Sequence, residues 1–266
     1  MTSTPAWGRY VELRPDTLAA IIDETPVAYV PWGALEWHGP HLPFGVDGFT
    51  AEALCERVAR RTGGVILPTT WWSMTTLPHR FSLSVHSDVM ELLWDSIFAE
   101  LTRIGCRVVV LISGHYAQGH ELVLIDAAEH AIAKYNLSVL AVPPLALVDE
   151  TMLDHAALWE TALMLALRPR MVDIDALGKG PLKPATSAVL GQDPRRATPT
   201  QGESALLLAT ERLVADVNLL LKQDRPRILQ ELYTRRRAVY RRYVEQYFHG
   251  SWEDAIQAWW NKKTET

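Results

Sequence analysis

The chain has 266 residues, 48% of them hydrophobic, and a formal net charge of −5. That length suits one large domain or two small ones, and the apolar share excludes a disordered class. The acidic balance argues against a dedicated nucleic-acid binder.

Two cysteines, Cys55 and Cys106, read as reduced core residues rather than a disulfide or a ligand pair. The stretch MTSTPAWGRYVEL lacks the basic-then-apolar pattern of a signal peptide, and no apolar run approaches bilayer-spanning length. A soluble, cytoplasmic protein with no membrane partner is expected.

In chain order, PVAYVPWG reads as a buried strand running into a Gly- and Pro-punctuated loop. Asp47 stands where it can cap a helix over GFTAEALCERVARRTG, which stops at paired glycines. GVILPTTWW is a short strand, and DVMELLWDSIFAELTRIG a helix with Leu93, Ile97, Leu101 and Ile104 on one stripe. CRVVVLISG is a continuous apolar strand of the kind buried on both faces, followed by GHYAQG and the helix HELVLIDAAEHAIAKY. LSVLAVPPLAL is the next strand, and a helix runs from about Asp154 to Leu167, closed by Arg168-Pro169. Residues 178 to 202 are rich in Pro, Gly and Thr and read as a long loop beside the site. ESALLLATERLVADVNLLLKQ, ILQELYTRRRAVYRRYVEQYF and WEDAIQAWWNKK complete the chain as helices. Strands alternating with helices predict an α/β fold, a mostly parallel sheet with helices on both faces. One domain over residues 1–266 is expected, with 225–266 a helical C-terminal extension that serves the same domain or a subunit interface.

The chemistry concentrates in PWGALEWHGPHLPFGVD, residues 31 to 47, which holds a glutamate, two histidines and an aspartate. In open α/β sheets ligands bind beyond the carboxyl ends of the strands. This loop follows one predicted strand and Gly114-His115 follows another, so the two can meet. Glu36 and His38 are two residues apart, which on extended backbone points both to one side. Carboxylates and imidazoles without thiolates suit Zn²⁺, Mn²⁺ or a similar ion at a hydrolytic site. Taken singly, each residue is equally explained as a cap or a satisfied core polar group.

GALEWHGPHLPFGVD resembles the creatininase family pattern G-S-x-E-Q-H-G-P-H-L-P-x-x-x-D. SGHYAQGHE is similar to the family's second motif, N-G-H-G-G-N or a G-H-Y variant, and DHAALWETALMLALRPRMVDID to its H-A-G-x-x-E-T-S helix with the following R-P-x-x-V. GQDPRRATPTQGESAL is similar to its G-D-P-x-x-A-T-x-x-x-G segment. These matches fall in order from about residue 30 to 210; the tail after about Arg225 carries no such motif. The resemblance implies an α/β fold with a two-metal hydrolytic centre. It places Glu36, His38, Asp47 and His115 at ligand positions, and Glu160 at the glutamate of the third motif. In the family arrangement Asp47 bridges two ions, with Glu36 and His115 on one and His38 and Glu160 on the other. The apolar surroundings of Glu160 in TALMLAL agree, since a buried carboxylate needs a cation. His155 aligns with a catalytic histidine of the family and is assigned the proton shuttle. His41 is assigned a supporting place, orienting Glu36 or His38, and Tyr116 a substrate contact.

The chain also departs from the family. Creatinine-hydrolysing members carry a glutamate two residues after the motif histidine, where this chain has Ala117. The family's E-H-x-x-F-P-G-T segment is reduced to LPHRFSLSV, and Ala157 replaces the glycine after His-Ala. These differences leave the metal site in place and turn the substrate away from creatinine.

Two other features suggest nucleic acid or a pocket at first sight. TRRRAVYRRYVEQY has five arginines, but they circle the helix and read as a solvated helix or subunit contact. Tyr233, Tyr240 and Tyr247 recur every seven residues, which suits helix packing. Most of the ten tryptophans read as core or interface, although Trp71, Trp72, Trp159, Trp259 and Trp260 are candidates for a pocket lining.

The expected function is a metal-dependent hydrolase that opens a small cyclic substrate at a C–N bond, with two divalent ions, zinc and/or manganese, iron being a further option. A C–C ring-opening hydrolase of a cyclic diketone, such as an oxidised inositol, is the alternative. A non-catalytic protein with structural metals is the third reading, disfavoured because structural zinc sites are closed and thiolate-rich. A homo-oligomer is expected, a hexamer being common in the family.

Overall fold

The computed structural model describes residues 6–222 and 225–265. Its strands are β1 (Trp7–Arg9), β2 (Val27–Trp32), β3 (Gly64–Ile66), β4 (Val108–Ser113) and β5 (Ser138–Val142), all parallel in one sheet of order β1-β3-β2-β4-β5. β2 and β4 pair from Val27↔Val108 to Trp32↔Ser113, and every residue of both is buried. Both faces are therefore covered, as their unbroken apolar sequence requires.

The helices before the C-terminal extension are α1 (Pro15–Glu24), α2 (Val46–Thr62), α3 (Ser87–Arg103), α4 (Gln118–Tyr135), α5 (Leu158–Leu167), the single turn α6 (Pro184–Ser187) and α7 (Pro199–Lys222). α8 (Arg225–Tyr247) and α9 (Trp252–Thr264) form the C-terminal extension. α2 packs with α5 and α7 on one face, and α3 with α4 on the other. The connection after β2 runs to one side of the sheet and the connection after β3 returns across it. The β2–β4 seam is thus the point where the strand order reverses and a crevice opens. No helix among the described residues is long and apolar enough to cross a membrane.

The structure corrects several local expectations. Asp47 lies inside the first turn of α2, behind the N-cap Gly45, so its carboxylate is free to face the crevice rather than cap the helix. The buried apolar residues of α3 are Met90, Trp94, Phe98 and Leu101. Of the expected stripe Leu101 is buried, Ile97 and Ile104 pack partly buried against the core, and Leu93 is exposed, because Trp94 and Phe98 carry the bulk inward. α5 starts only at Leu158, and Asp154 precedes it, accepting from the N–H groups of Trp159 (2.8 Å) and Glu160 (3.2 Å).

The arginine-rich tail is not simply solvated. Arg236 on α8 is 1% exposed and pairs with Glu121 of α4, its Nη2 lying 2.8 Å from Oε2. Tyr240 donates to the same carboxylate, and Tyr233 donates to the Val139 carbonyl at the sheet edge. The seven-residue tyrosine spacing thus fixes α8 to α4 and β5. Cys55 and Cys106 are buried free thiols, as expected.

Candidate metal centre

Two glycines let the site close. Gly33 follows β2 and Gly114 follows β4, and a Cβ on either would collide with the backbone of Gly48 or Asp47. With no side chain in the way, the N-terminal turn of α2 settles onto both strand ends. That contact delivers Asp47 between the loop carrying Glu36 and His38 and the loop carrying His115.

Ligand-type atoms then fall into two buried triads. Glu36, Asp47 and His115 form one and His38, Asp47 and Glu160 the other, with the three atoms of each within 4.8 Å of one another. Asp47 belongs to both, one oxygen to each: Oδ1 is 3.0 Å from His38 Nε2, and Oδ2 is 3.4 Å from His115 Nδ1. His115 Nδ1 is also 2.9 Å from Glu36 Oε2, and His38 Nε2 is 3.4 Å from Glu160 Oε2. A third grouping brings His155 to Glu36 and His38.

Hydrogen bonds on the far side of each ring set its orientation. A carbonyl can only accept, so the nitrogen facing it carries the proton. His38 Nδ1 donates to the Glu36 carbonyl (3.0 Å), His115 Nε2 to the Met74 carbonyl (3.0 Å) and His155 Nε2 to the Trp37 carbonyl (3.0 Å). Each ring thereby turns its other nitrogen to the acidic cluster. The carboxylates are held likewise, Glu36 by the Leu77 amide and Glu160 by the Ala156 amide at 2.6 Å. Ala156 holds that amide in place with a φ of +49°, a conformation other than glycine rarely takes.

The electrostatics are those of a site built for cations. Burial opposes charge on His115, yet Glu36 and Asp47 overcome it and push the imidazole up to about 10. His38 is raised in the same way against burial by Asp47 and Glu160. Despite burial, Glu36 is held low by His115 and His155, and Asp47 by His38 and His115. Asp47 Oδ1, Asp47 Oδ2 and His38 Nε2 are buried without a hydrogen-bond partner. Buried polar atoms of this kind are rarely left orphaned. The donor set of three carboxylates and two imidazoles fits divalent ions.

The centre opens on a cavity of about 500 Å³. Glu36, His115, His155 and Tyr116 line it. The Tyr116 phenol is raised well above the usual range, first by burial and then by Glu160 and Asp47. His41 stands elsewhere than expected: its Nε2 meets Thr161 Oγ1 at 3.2 Å, beside Glu160, rather than Glu36 or His38. It supports α5, and burial together with charged His38 lowers it to about 4. Of the stretch expected as a loop, Pro184, Val189, Leu190 and Gly191 border the cavity, although Pro184–Ser187 forms the turn α6 and α7 already begins at Pro199.

Sequence reasoning passed over three groups of residues here. Asp154 caps α5 beside His155, and burial and Glu160 push its carboxyl up to about 8. An acidic residue four before an apolar helix was a legible cap signal. His120, wedged between Ser73 (3.0 Å) and Ser113 (3.2 Å), packs its ring edge-on to His115 at 5.0 Å. Tyr243, Ile256 and Lys263 bring the C-terminal extension to the cavity wall beside Trp259, which the sequence offered as a pocket residue. No local signal marked the other three.

The creatininase profile, described as creatinine amidohydrolase, matches residues 12–217. A curated creatinine amidohydrolase of Pseudomonas putida is 31% identical over 204 residues, which is 66% of this chain and 77% of that protein. A crystal structure of creatinine amidohydrolase (creatininase) superposes with a TM-score of 0.71 at 22% identity, over 84% of this chain and all of the other. A creatininase variant of the Zn–Zn type and a manganese creatininase each give 0.68 at 23% identity, over 79% of this chain and 96% of theirs. At those identities the superpositions speak for the fold, and the family match ends at residue 217. The chain belongs to the creatininase family.

Proposed function

We propose that this chain is a metal-dependent amidohydrolase that holds two divalent ions and opens a small cyclic amide other than creatinine. The observation that carries the reading is the pair of buried triads sharing Asp47, one carboxylate oxygen to each, at the floor of a cavity of about 500 Å³. Glu36, Asp47 and His115 would hold one ion and His38, Asp47 and Glu160 the other. Zinc or manganese suits this donor set, and the family relatives of zinc and manganese type support that choice. When bound, such ions supply Lewis-acid polarisation of a carbonyl and a water acidic enough to serve as nucleophile near neutral pH.

The remaining steps belong to the chain's own residues. His155 Nε2 is committed to the Trp37 carbonyl, so Nδ1, 3.9 Å from Glu36 Oε2, is the atom that accepts and returns a proton. Its ring lies against His38 at 4.3 Å between centroids, which limits its rotation. Cavity size restricts the substrate to about a single substituted ring, at the lower end of small-molecule sites. Ala117, on the cavity wall, presents no carboxylate to a guanidinium-like ring. A homo-oligomer belongs to the same proposal, supported by exposed Val89, Leu92 and Leu93 on α3.

Elemental analysis of the purified chain, with steady-state assays on cyclic amides and cyclic diketones, tests the reading. Two equivalents of metal and turnover of a cyclic amide are expected. Turnover of diketones alone would replace it with C–C ring opening, and a tightly loaded but inert protein would make the metals structural.

A further inference from the structure

The outer wall of the cavity comes from beyond the family match. That match ends at residue 217, whereas Tyr243 on α8 and Ile256, Trp259 and Lys263 on α9 line the same cavity as Glu36, His115 and His155. The wall is anchored to the catalytic half of the molecule. Arg236 and Tyr240 lock α8 to Glu121, within the first turns of the helix that follows His115. Glu253 of α9 accepts from the Ser87 amide at 2.8 Å, capping into α3. Gly119 leaves room for Trp252, whose ring a Cβ there would meet at 2.9 Å.

Tyr243 is 7% exposed, yet its hydroxyl has no hydrogen-bond partner among the described residues. Its ring lies parallel to Trp252 at 6.5 Å and tilted against Tyr247 at 5.5 Å, so aromatic neighbours flank it on α8 and α9. Gln118, at the start of α4, also lines the cavity, and its Oε1 is likewise buried and unpartnered. Neither residue belongs to the two triads. Two residues that line the cavity thus each carry a neutral polar atom that is buried with no partner among the described residues, and buried groups of this kind call for a ligand. Trp259 adds an aromatic surface to the same cavity, with Lys263 Nζ 5.8 Å from its ring centroid.

We propose that the α8–α9 wall determines specificity. Tyr243 and Gln118 hydrogen-bond the edge of the substrate remote from the scissile bond, and Trp259 covers its ring face. The preferred substrate is then a small ring with a neutral hydroxyl, or a similar hydrogen-bonding group, on that remote edge. The inference rests on the hydrolase reading for the reaction, while the subsite itself is made of residues outside the metal centre.

The test uses the full-length, metal-loaded enzyme with 2-pyrrolidinone and 4-hydroxy-2-pyrrolidinone, which differ by one hydroxyl. Both kcat/KM and the calorimetric Kd are measured. A site built to bond a hydroxyl discriminates strongly against its absence, so wild type should favour the hydroxylated ring by about tenfold or more. Tyr243→Phe should bring that ratio near one with its metal content retained, and Trp259→Ala should weaken binding of both rings. An unchanged ratio in Tyr243→Phe, no preference in wild type, or binding of neither ring overturns the proposal. If neither ring is hydrolysed while the Kd ratio behaves as stated, the reaction assignment fails and the subsite stands.

Discussion

His38 Nε2 lies 3.0 Å from Asp47 Oδ1, and both atoms are buried. Without metal, the imidazole keeps a proton there because Asp47 and Glu160 outweigh the cost of burial. His115 is held the same way, up to about 10, by Glu36 and Asp47. Metal coordination requires the neutral ring, so each imidazole must surrender a proton on loading. Since both are raised above the ordinary value, they are charged at neutral pH and lose the proton only as pH rises. Zinc or manganese binding near pH 7 should therefore release protons, and apparent affinity should climb with pH towards about 10. Calorimetry in buffers of different ionisation enthalpy measures this; heats that do not vary with buffer would contradict it.

Asp47 is shared by the two triads, whereas Glu36 belongs to the triad with His115. Asp47→Ala should therefore lose both ions and all turnover, and Glu36→Ala should mainly empty one site. Metal content per purified chain decides between them. Two full equivalents in Asp47→Ala would remove the bridging role.

His155 is fixed through Nε2 and leaves Nδ1 facing the cluster, but it stands outside the two triads. His155→Ala should keep its metals and lose turnover by roughly 10²-fold or more, the range of general acid–base contributions. Loss of metal with no separate effect on kcat would instead make it a ligand.

Arg236 and Glu121 are each 1% exposed and satisfy one another across α8 and α4. Removing one partner leaves an uncompensated buried charge, which costs about 3–5 kcal/mol. Arg236→Met should be destabilised on that scale in urea unfolding, and adding Glu121→Leu should recover much of the loss. If the single variant unfolds like wild type, the pair contributes nothing that solvent does not replace.

The parts of this molecule legible in the sequence were those with a local cause. Apolar runs such as VVVLIS announce buried parallel strands, and Gly-flanked strand ends announce loops that can meet. Glu36 and His38 stood out because polar residues of that type have no place in a Pro- and Gly-rich turn. What lay hidden depends on distance in the chain. Arg236 resembles any solvated arginine until α8 is placed against Glu121, 115 residues away. The bond from His41 to Thr161 and the arrival of Tyr243 at the cavity are equally non-local. The start of α5 was misplaced because Asp154 caps from four residues ahead of the helix, across a turn with Ala156 in the left-handed region.

Creatinine should be a poor substrate, and Ala117→Glu should improve it. Ala117 lines the cavity next to Tyr116, two residues after His115, and it is the N-cap residue of α4 with extended backbone. A methyl group there can neither coordinate, donate nor accept, whereas the family motif that SGHYAQGHE resembles has a glutamate at that place in creatinine-hydrolysing members. The wild-type cavity is one carboxylate poorer and offers less to hold the delocalised positive charge of a guanidinium-like ring. Opposing this, Glu36, Asp47 and Glu160 remain in both, so turnover of other neutral rings need not fall with the missing group. Wild type should fall below about 10⁴ M⁻¹s⁻¹ in kcat/KM for creatinine, the lower end of ordinary enzymes. Ala117→Glu should raise that value by about tenfold, the effect of one well-placed charged interaction of roughly 1.4 kcal/mol. The side chain is introduced at a half-buried cavity edge rather than in the core, so the variant should fold. Steady-state assays of both proteins on creatinine, at matched metal content, give the answer. Wild type already at or above that threshold would refute the prediction, and an unimproved Ala117→Glu would show that another wall of the cavity excludes creatinine.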